Sequence, residues 1–345
     1  MTIYNNYLDG RQLPIVDSLG MKLLRCASGF LCVAICGGMS LFGQEHALRD
    51  VDEQLSQLSA LEQKGQYAEV VQPVSLLIES KALNEKEVGR AQLILAIAYH
   101  QQGEWELAQS AYEKALSILD GHREYAADRA AALDNFAQLY LDMGNPDIAG
   151  FMEGKVLKTY ETLGDHANVA RSCITLAGLE INQGHRRKGK EYLQRALREA
   201  KLASGLDQDF FAQVSSMQGW LALLGGDTAT AISDYAHAVK LWTEAHGENH
   251  TLTGWGYMLL GKSYAQAGQN AVAMEAMRKG LRILEKSTGM NSVKYLAAEI
   301  AYSEVLDRSG AHMEAARLKD SAEQGLAKRN QDVCPRCSIS VVALH

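Results

Sequence analysis

Residues 256–263 read GYMLLGKS and fit the phosphate-loop pattern G-x-x-x-x-G-K-[ST] at every fixed position. In such a loop the glycines let backbone amides wrap the phosphates, a lysine (Lys262 here) reaches the outer ones, and a hydroxyl (Ser263) holds magnesium. That chemistry needs a buried strand before the loop and a helix opening out of it. The preceding HGENHTLTGW has linker character, and Tyr257, Leu260, Gly261 and Tyr264 recur at i, i+3, i+4 and i+7, one face of a helix. The segment is therefore expected to be helical, and neither a nucleotide nor any other cofactor is expected. His246 and His250 in HGENH have a spacing that suits a metal when both lie on one helix. Gly247 between them marks a helix end, so the two imidazoles are expected on a tethered linker, not on a shared face. CPRC at 334–337 could close as a small disulfide or form half a zinc site, but zinc wants four ligands and no second pair exists. Cys173 falls on a packing face with no base placed beside it. These residues predict no catalytic or metal-binding group, and hence no enzyme.

The elements that carry these residues repeat. Glycines following an amphipathic stretch occur at 65, 103, 144, 184, 226, 268 and 310, spaced 38 to 42 residues apart, which makes seven units. In register with them, Tyr99, Tyr140 and Tyr264 lie four residues before the glycine, and Ala108, Ala149, Ala231, Ala273 and Ala315 lie five after it. The pattern predicts two helices per unit around a glycine turn, with small residues where the helices cross and large ones between units. A second series, at 121, 164, 205, 247 and 289, marks the linkers between units, where a C-cap glycine precedes a polar helix start.

This arrangement resembles the tetratricopeptide repeat, most closely in QLILAIAYHQQGEWELAQSAYEKALSIL at 92–119, where Leu95, Ala96, Tyr99, Gly103, Ala108, Tyr112 and Ala115 stand at motif positions. Other units depart from the motif. Glu153 stands where an aromatic is usual, Gly189 replaces the close-packing alanine, and Glu180 replaces the tyrosine. The unit is longer than the usual repeat, similar to the variety in kinesin light chains and many bacterial repeat proteins. The resemblance implies an all-α fold, a right-handed superhelical solenoid of antiparallel helix pairs over 44–328, whose first helices line a concave groove that receives a peptide or protein segment. The groove positions it implies are Asp134, Asn135, Gln138 and Asp142; Arg171, Thr175 and Asn182; Gln213 and Trp220; Trp255 and Lys262; and Glu304 and Arg308. Some relatives clamp a C-terminal carboxylate with five polar residues. Asn135 and Arg171 fill two of those positions here, while Leu93, Ile97 and Thr175 leave the clamp incomplete.

Composition fits this reading. The chain has 345 residues, 47% hydrophobic and 22% charged, with 4 prolines and a formal charge of −7. Helix is favoured over sheet, and a general nucleic-acid partner is disfavoured because such proteins need a basic face. The one dense basic run, HRRKGK at 185–190, reads as a solvated face or a helix start. Near the N-terminus, Lys22 and Arg25 precede an apolar run and small residues through Gly43, the layout of a secretory signal over 21–43 with an upstream extension at 1–20 and a tail at 329–345. Met21 is then the expected start and the mature chain is expected outside the cytoplasm, secreted or periplasmic. An uncleaved segment would instead anchor it to the membrane. Together these features predict a non-catalytic scaffold that binds a protein or peptide segment.

Overall fold

The computed structural model describes residues 41–63 and 67–333. The upstream extension, most of the 21–43 segment, and Cys334 and Cys337 lie outside the described residues. Among the described residues there are fourteen α-helices and no strand. They pair as α1 (Leu41–Gln63) with α2 (Tyr67–Glu79), α3 (Glu85–Gln102) with α4 (Trp105–Leu119), and α5 (Ala126–Asp142) with α6 (Pro146–Leu163). Then come α7 (His166–Asn182) with α8 (Arg186–Ala200), α9 (Gln208–Leu224) with α10 (Thr228–His246), α11 (Thr251–Gln266) with α12 (Asn270–Thr288), and α13 (Val293–Arg308) with α14 (His312–Val333). These are the seven helix pairs expected from the glycine register, wound as a right-handed solenoid.

The six described turns within units are built by the same backbone bonds. In the second unit, Gly103 adopts φ 81°, its N–H donates to the His100 carbonyl, and the next N–H, of Glu104, reaches back to the Tyr99 carbonyl at 2.9 Å. A side chain at that φ would be strained, which is why glycine recurs there. The same closure repeats from Asn145 to Tyr140, His185 to Glu180, Asp227 to Ala222, Gln269 to Tyr264 and Ala311 to Leu306. The residue four before the glycine thus supplies only its carbonyl, so its side chain is free to vary from tyrosine to glutamate. Glu180 uses that freedom to accept from His185 Nδ1 at 2.9 Å and Lys188 Nζ at 2.5 Å, fastening the basic run to the start of α8.

Small residues let the two helices of a unit approach. Ala108, Ala149, Ala231 and Ala273 have no exposed surface. At Gly189 a Cβ would collide with Ile181 and lie 3.0 Å from the Ala177 carbonyl. Large residues fill the space between units: Tyr112 stacks on Phe136 of the next unit with ring centroids 5.1 Å apart, and Trp242 and Tyr235 are fully buried. Each such side chain stabilises the stack by about 1.5–3 kcal/mol through burial alone.

Candidate partner-binding groove

Second helices pack on the first helix of the following unit, as α6 does on α7 and α10 on α11, and first helices also touch one another, as α7 and α9 do. The first helices therefore form a continuous concave wall. On it lies a cavity of about 520 Å³ that spans α5, α7, α9 and α11. Its lining follows the repeat register. Six residues before the turn glycines stand Gln138, Gly178, Trp220 and Lys262, and two before them stand Asp142, Asn182, Leu224 and Gln266; all eight line the cavity. Nine before, Thr175, Met217 and Leu259 add a third row, and Tyr235 reaches in from α10.

Seven of the thirteen groove positions named from sequence are thus brought together: Gln138, Asp142, Thr175, Asn182, Trp220, Trp255 and Lys262. Trp220 is half-buried and packs against two neighbouring core clusters as well as facing the cavity, and Trp255 is 8% exposed. Both tryptophans are therefore packed and cavity-lining at once.

The other six lie outside the cavity lining. Asp134 is buried against Glu153 of α6, and Gln213 is buried and donates to Asp209 at 2.7 Å. Arg171 is buried, donates to Asp207 Oδ2 at 3.1 Å and lies over the Phe210 ring. Asn135 donates to the Ala131 carbonyl at 2.9 Å within its own helix. Glu304 and Arg308 continue the two columns one unit further, in α13, and act on the cavity through charge. Sequence reasoning missed Gly178, Met217, Leu224 and Gln266. Reading the two columns straight down the glycine register finds Gly178, Leu224 and Gln266, because the helical period carries every residue of a column to the same face.

Two charged side chains line the cavity. Asp142 accepts from His100 Nε2 at 3.0 Å and from Gln138 at 3.1 Å. Burial works against its ionisation, but the His100 bond and the charges of His100 and Lys294 outweigh it, holding the carboxyl well below the usual carboxylate range. Lys294, which opens α13, acts on Asp142 through its charge. Burial lowers the Lys262 ammonium, the Glu304 carboxylate opposes that shift, and Arg308 adds to it.

Other candidate chemistry resolves as follows. GYMLLGKS lies inside α11, where Ser263 is buried and its hydroxyl donates to the Leu259 carbonyl at 3.0 Å. Backbone amides held in a helix cannot also cradle phosphates. Gly256 falls in the second turn of that helix, and a Cβ there would meet Val239 at 2.8 Å. Gly261 sits at the crossing with α12, 3.0 Å from the Ala273 carbonyl when given a Cβ. His246 and His250 lie on different helices, α10 ending at His246 and His250 capping α11, as expected from Gly247, yet their rings stack with centroids 4.3 Å apart and His246 Nε2 meets Asp209 at 3.0 Å. Gly247 brings the end of α10 onto the cap of α11, where His250 Nδ1 accepts from Leu252 N–H. Burial and the neighbouring His246 push His250 down to about 4. Among the described residues, no group of three or more His, Cys, Asp or Glu side chains could hold a metal. Cys173 is buried, and burial pushes its thiol up to about 12. No described helix is long and apolar enough to cross a membrane.

The tetratricopeptide repeat family model matches residues 87–162 and 213–286. No curated protein matches the chain. Among solved structures, the chain is similar to the Rap conjugation gene regulator of the plasmid pLS20 in complex with the Phr* peptide, at 13% identity and TM-score 0.65, over 86% of this chain and 80% of that one. It is similar to the apo form of RapI at 12% identity and TM-score 0.62, over 81% and 99%. A Rap protein complexed with competence and sporulation factor aligns at 17% identity and TM-score 0.59, over 84% and 85%. At these identities the likeness concerns the fold. The chain folds as a helix-pair solenoid similar to those of tetratricopeptide proteins, and the repeat model matches its second to third and fifth to sixth units.

Proposed function

We propose that the chain is a non-catalytic scaffold that binds a segment of a partner protein, in extended form, in the cavity on its concave side. One observation carries this reading. Four successive first helices converge two tryptophans, several aliphatic side chains and a set of amides on one cavity of about 520 Å³, a size within the roughly 300–1,000 Å³ range of binding pockets. Stacking fixes these helices before the partner arrives, so the scaffold contributes little ordering cost. Two of the similar Rap structures are complexes, one with the Phr* peptide and one with competence and sporulation factor, which supports a ligand-binding role for a chain of this fold. The Lys22/Arg25 and apolar pattern ahead of Gly43 supports a site of action outside the cytoplasm.

The test is photo-crosslinking in the native cell. A photoreactive phenylalanine at Thr175, on the cavity, is compared with one at Phe151, exposed on α6. Adducts to one protein from the cavity position alone support the reading, and equal adducts from both positions, or none, refute it. N-terminal sequencing of the native chain tests the location, since an intact Thr2 is incompatible with a removed leader.

A further inference from the structure

Resting on that reading, we infer that the segment entering the cavity is internal to its protein and uncharged, with a bulky apolar side chain seated against Trp220 and Trp255 and its backbone met by side-chain amides. The lining itself selects for this. Of its two charges, Asp142 already accepts from His100 Nε2 at 3.0 Å and from Gln138 at 3.1 Å, and Lys262 is a largely desolvated ammonium with the charges of both Glu304 and Arg308 acting on it. An ion carried in by the occupant would lose its water to meet a carboxylate already bonded or an ammonium whose charge burial already disfavours. Capture of a chain terminus finds no support either. Asn135 is spent on the Ala131 carbonyl and Arg171 on Asp207, and both lie outside the cavity lining.

What the cavity does offer is amides and apolar surface. Gln138, Asn182, Gln183 and Gln266 come from three of the four first helices that line it, α5, α7 and α11, and the turn after α7. The bonds the three glutamines make, to Asp142, Asp147 and the Leu223 carbonyl, use the amide nitrogen. Each amide keeps a carbonyl oxygen, an acceptor for a peptide N–H, while the Asn182 amide can serve as donor and acceptor. Between them, Gly178 leaves open the space beside Met217, where a Cβ would approach the methionine methyl to 3.4 Å. The absence of a side chain at Gly178 keeps that column open to the cavity of about 520 Å³, which is where a large side chain from the occupant is placed.

The test selects from a random dodecapeptide library with both ends joined to the carrier, using the full chain as bait. Enriched peptides are then made with acetyl and amide ends and titrated by calorimetry at low and high salt. The expected winners share an uncharged core with an aromatic or large aliphatic residue, and their affinity changes by less than about threefold between 50 and 500 mM salt. Asn182→Ala, at an exposed position that folding does not need, weakens them by at least about threefold, and Trp220→Ala by at least about tenfold. Winners with a charged core, or a larger fall with salt, that still respond to these variants overturn this inference and leave the groove reading standing. Winners indifferent to both variants, or no enrichment at all, overturn the groove reading and this inference with it.

Discussion

Glu153 stands where the repeat ordinarily carries an aromatic, and replacing it with glutamine should raise stability at neutral pH and above. The side chain is buried in α6 against Asp134 of α5. Ser172 lies close enough to favour the charged form but outside hydrogen-bond geometry, so a proton shared with Asp134 is what satisfies the pair. Two carboxylates this close cannot both ionise cheaply. Burial raises Asp134 well above its usual range, with the Glu153 charge adding to the effect, and burial pushes Glu153 up to about 7 from 4.5. The folded chain therefore keeps a proton that the unfolded chain releases near 4.5. The stability tied to it is present in full below that pH and is lost as pH rises through 7. The window of 4.5 to 7 corresponds to about 3 kcal/mol. Glu153→Gln removes the ionisation while keeping the shape. Urea denaturation followed by circular dichroism, with variant and parent side by side from pH 5 to pH 8, should show little difference at pH 5. By pH 8 the variant should lead by up to about 3 kcal/mol. A difference that stays constant with pH would refute the shared-proton account.

Four further outcomes are expected. Gly261→Ala should cost about 1–3 kcal/mol, because its Cβ would collide with Met277 and crowd the Ala273 carbonyl; a phosphate loop at this place would give no such loss. In the same vein, calorimetric titration of magnesium-ATP should show no heat that Lys262→Ala removes. Asp207→Ala should cost about 2–4 kcal/mol by denaturant titration, since one carboxylate both caps the Phe210 N–H at 2.9 Å and accepts from buried Arg171, and Asp227→Ala, which removes a cap alone, should cost less. Cys173 should resist alkylation at pH 8 in the folded chain and react fully in denaturant, as read by peptide mass mapping; labelling without denaturant would contradict its burial.

The architecture was legible because its determinants are local. A turn that needs positive φ selects glycine, and a close crossing selects alanine or glycine, so both leave a period in the sequence. The groove was legible in part. Gln138, Trp220 and Lys262 could be named because they share one column, but Asp134 lies one residue off the row of Asn135 and Thr175 and turns in toward α6. Arg171, Gln213 and Trp255 occupy one register position, thirteen before the glycine, yet only Trp255 lines the cavity. Arg171 is drawn to Asp207 at the start of α9, a partner 36 residues on that no helical period announces, and Gln213 turns to Asp209 one turn back on its own helix. His246 and His250 were separated on the strength of Gly247 and do lie on different helices, yet its φ of 91° and ψ of 169° fold one ring onto the other.

The two register columns have an evolutionary consequence. Each of the four units that line the cavity presents two residues to it from fixed places on its first helix and takes most of its stacking from other places on the same helix. Recognition and cohesion are thus written largely at separate addresses, with Trp220 serving both. A duplicated or exchanged unit brings its own pair of letters into the row without disturbing the crossings on either side. The run Gln138, Gly178, Trp220, Lys262 is then one spelling among many that the same scaffold could hold, and a lineage could revise what it reads one unit at a time.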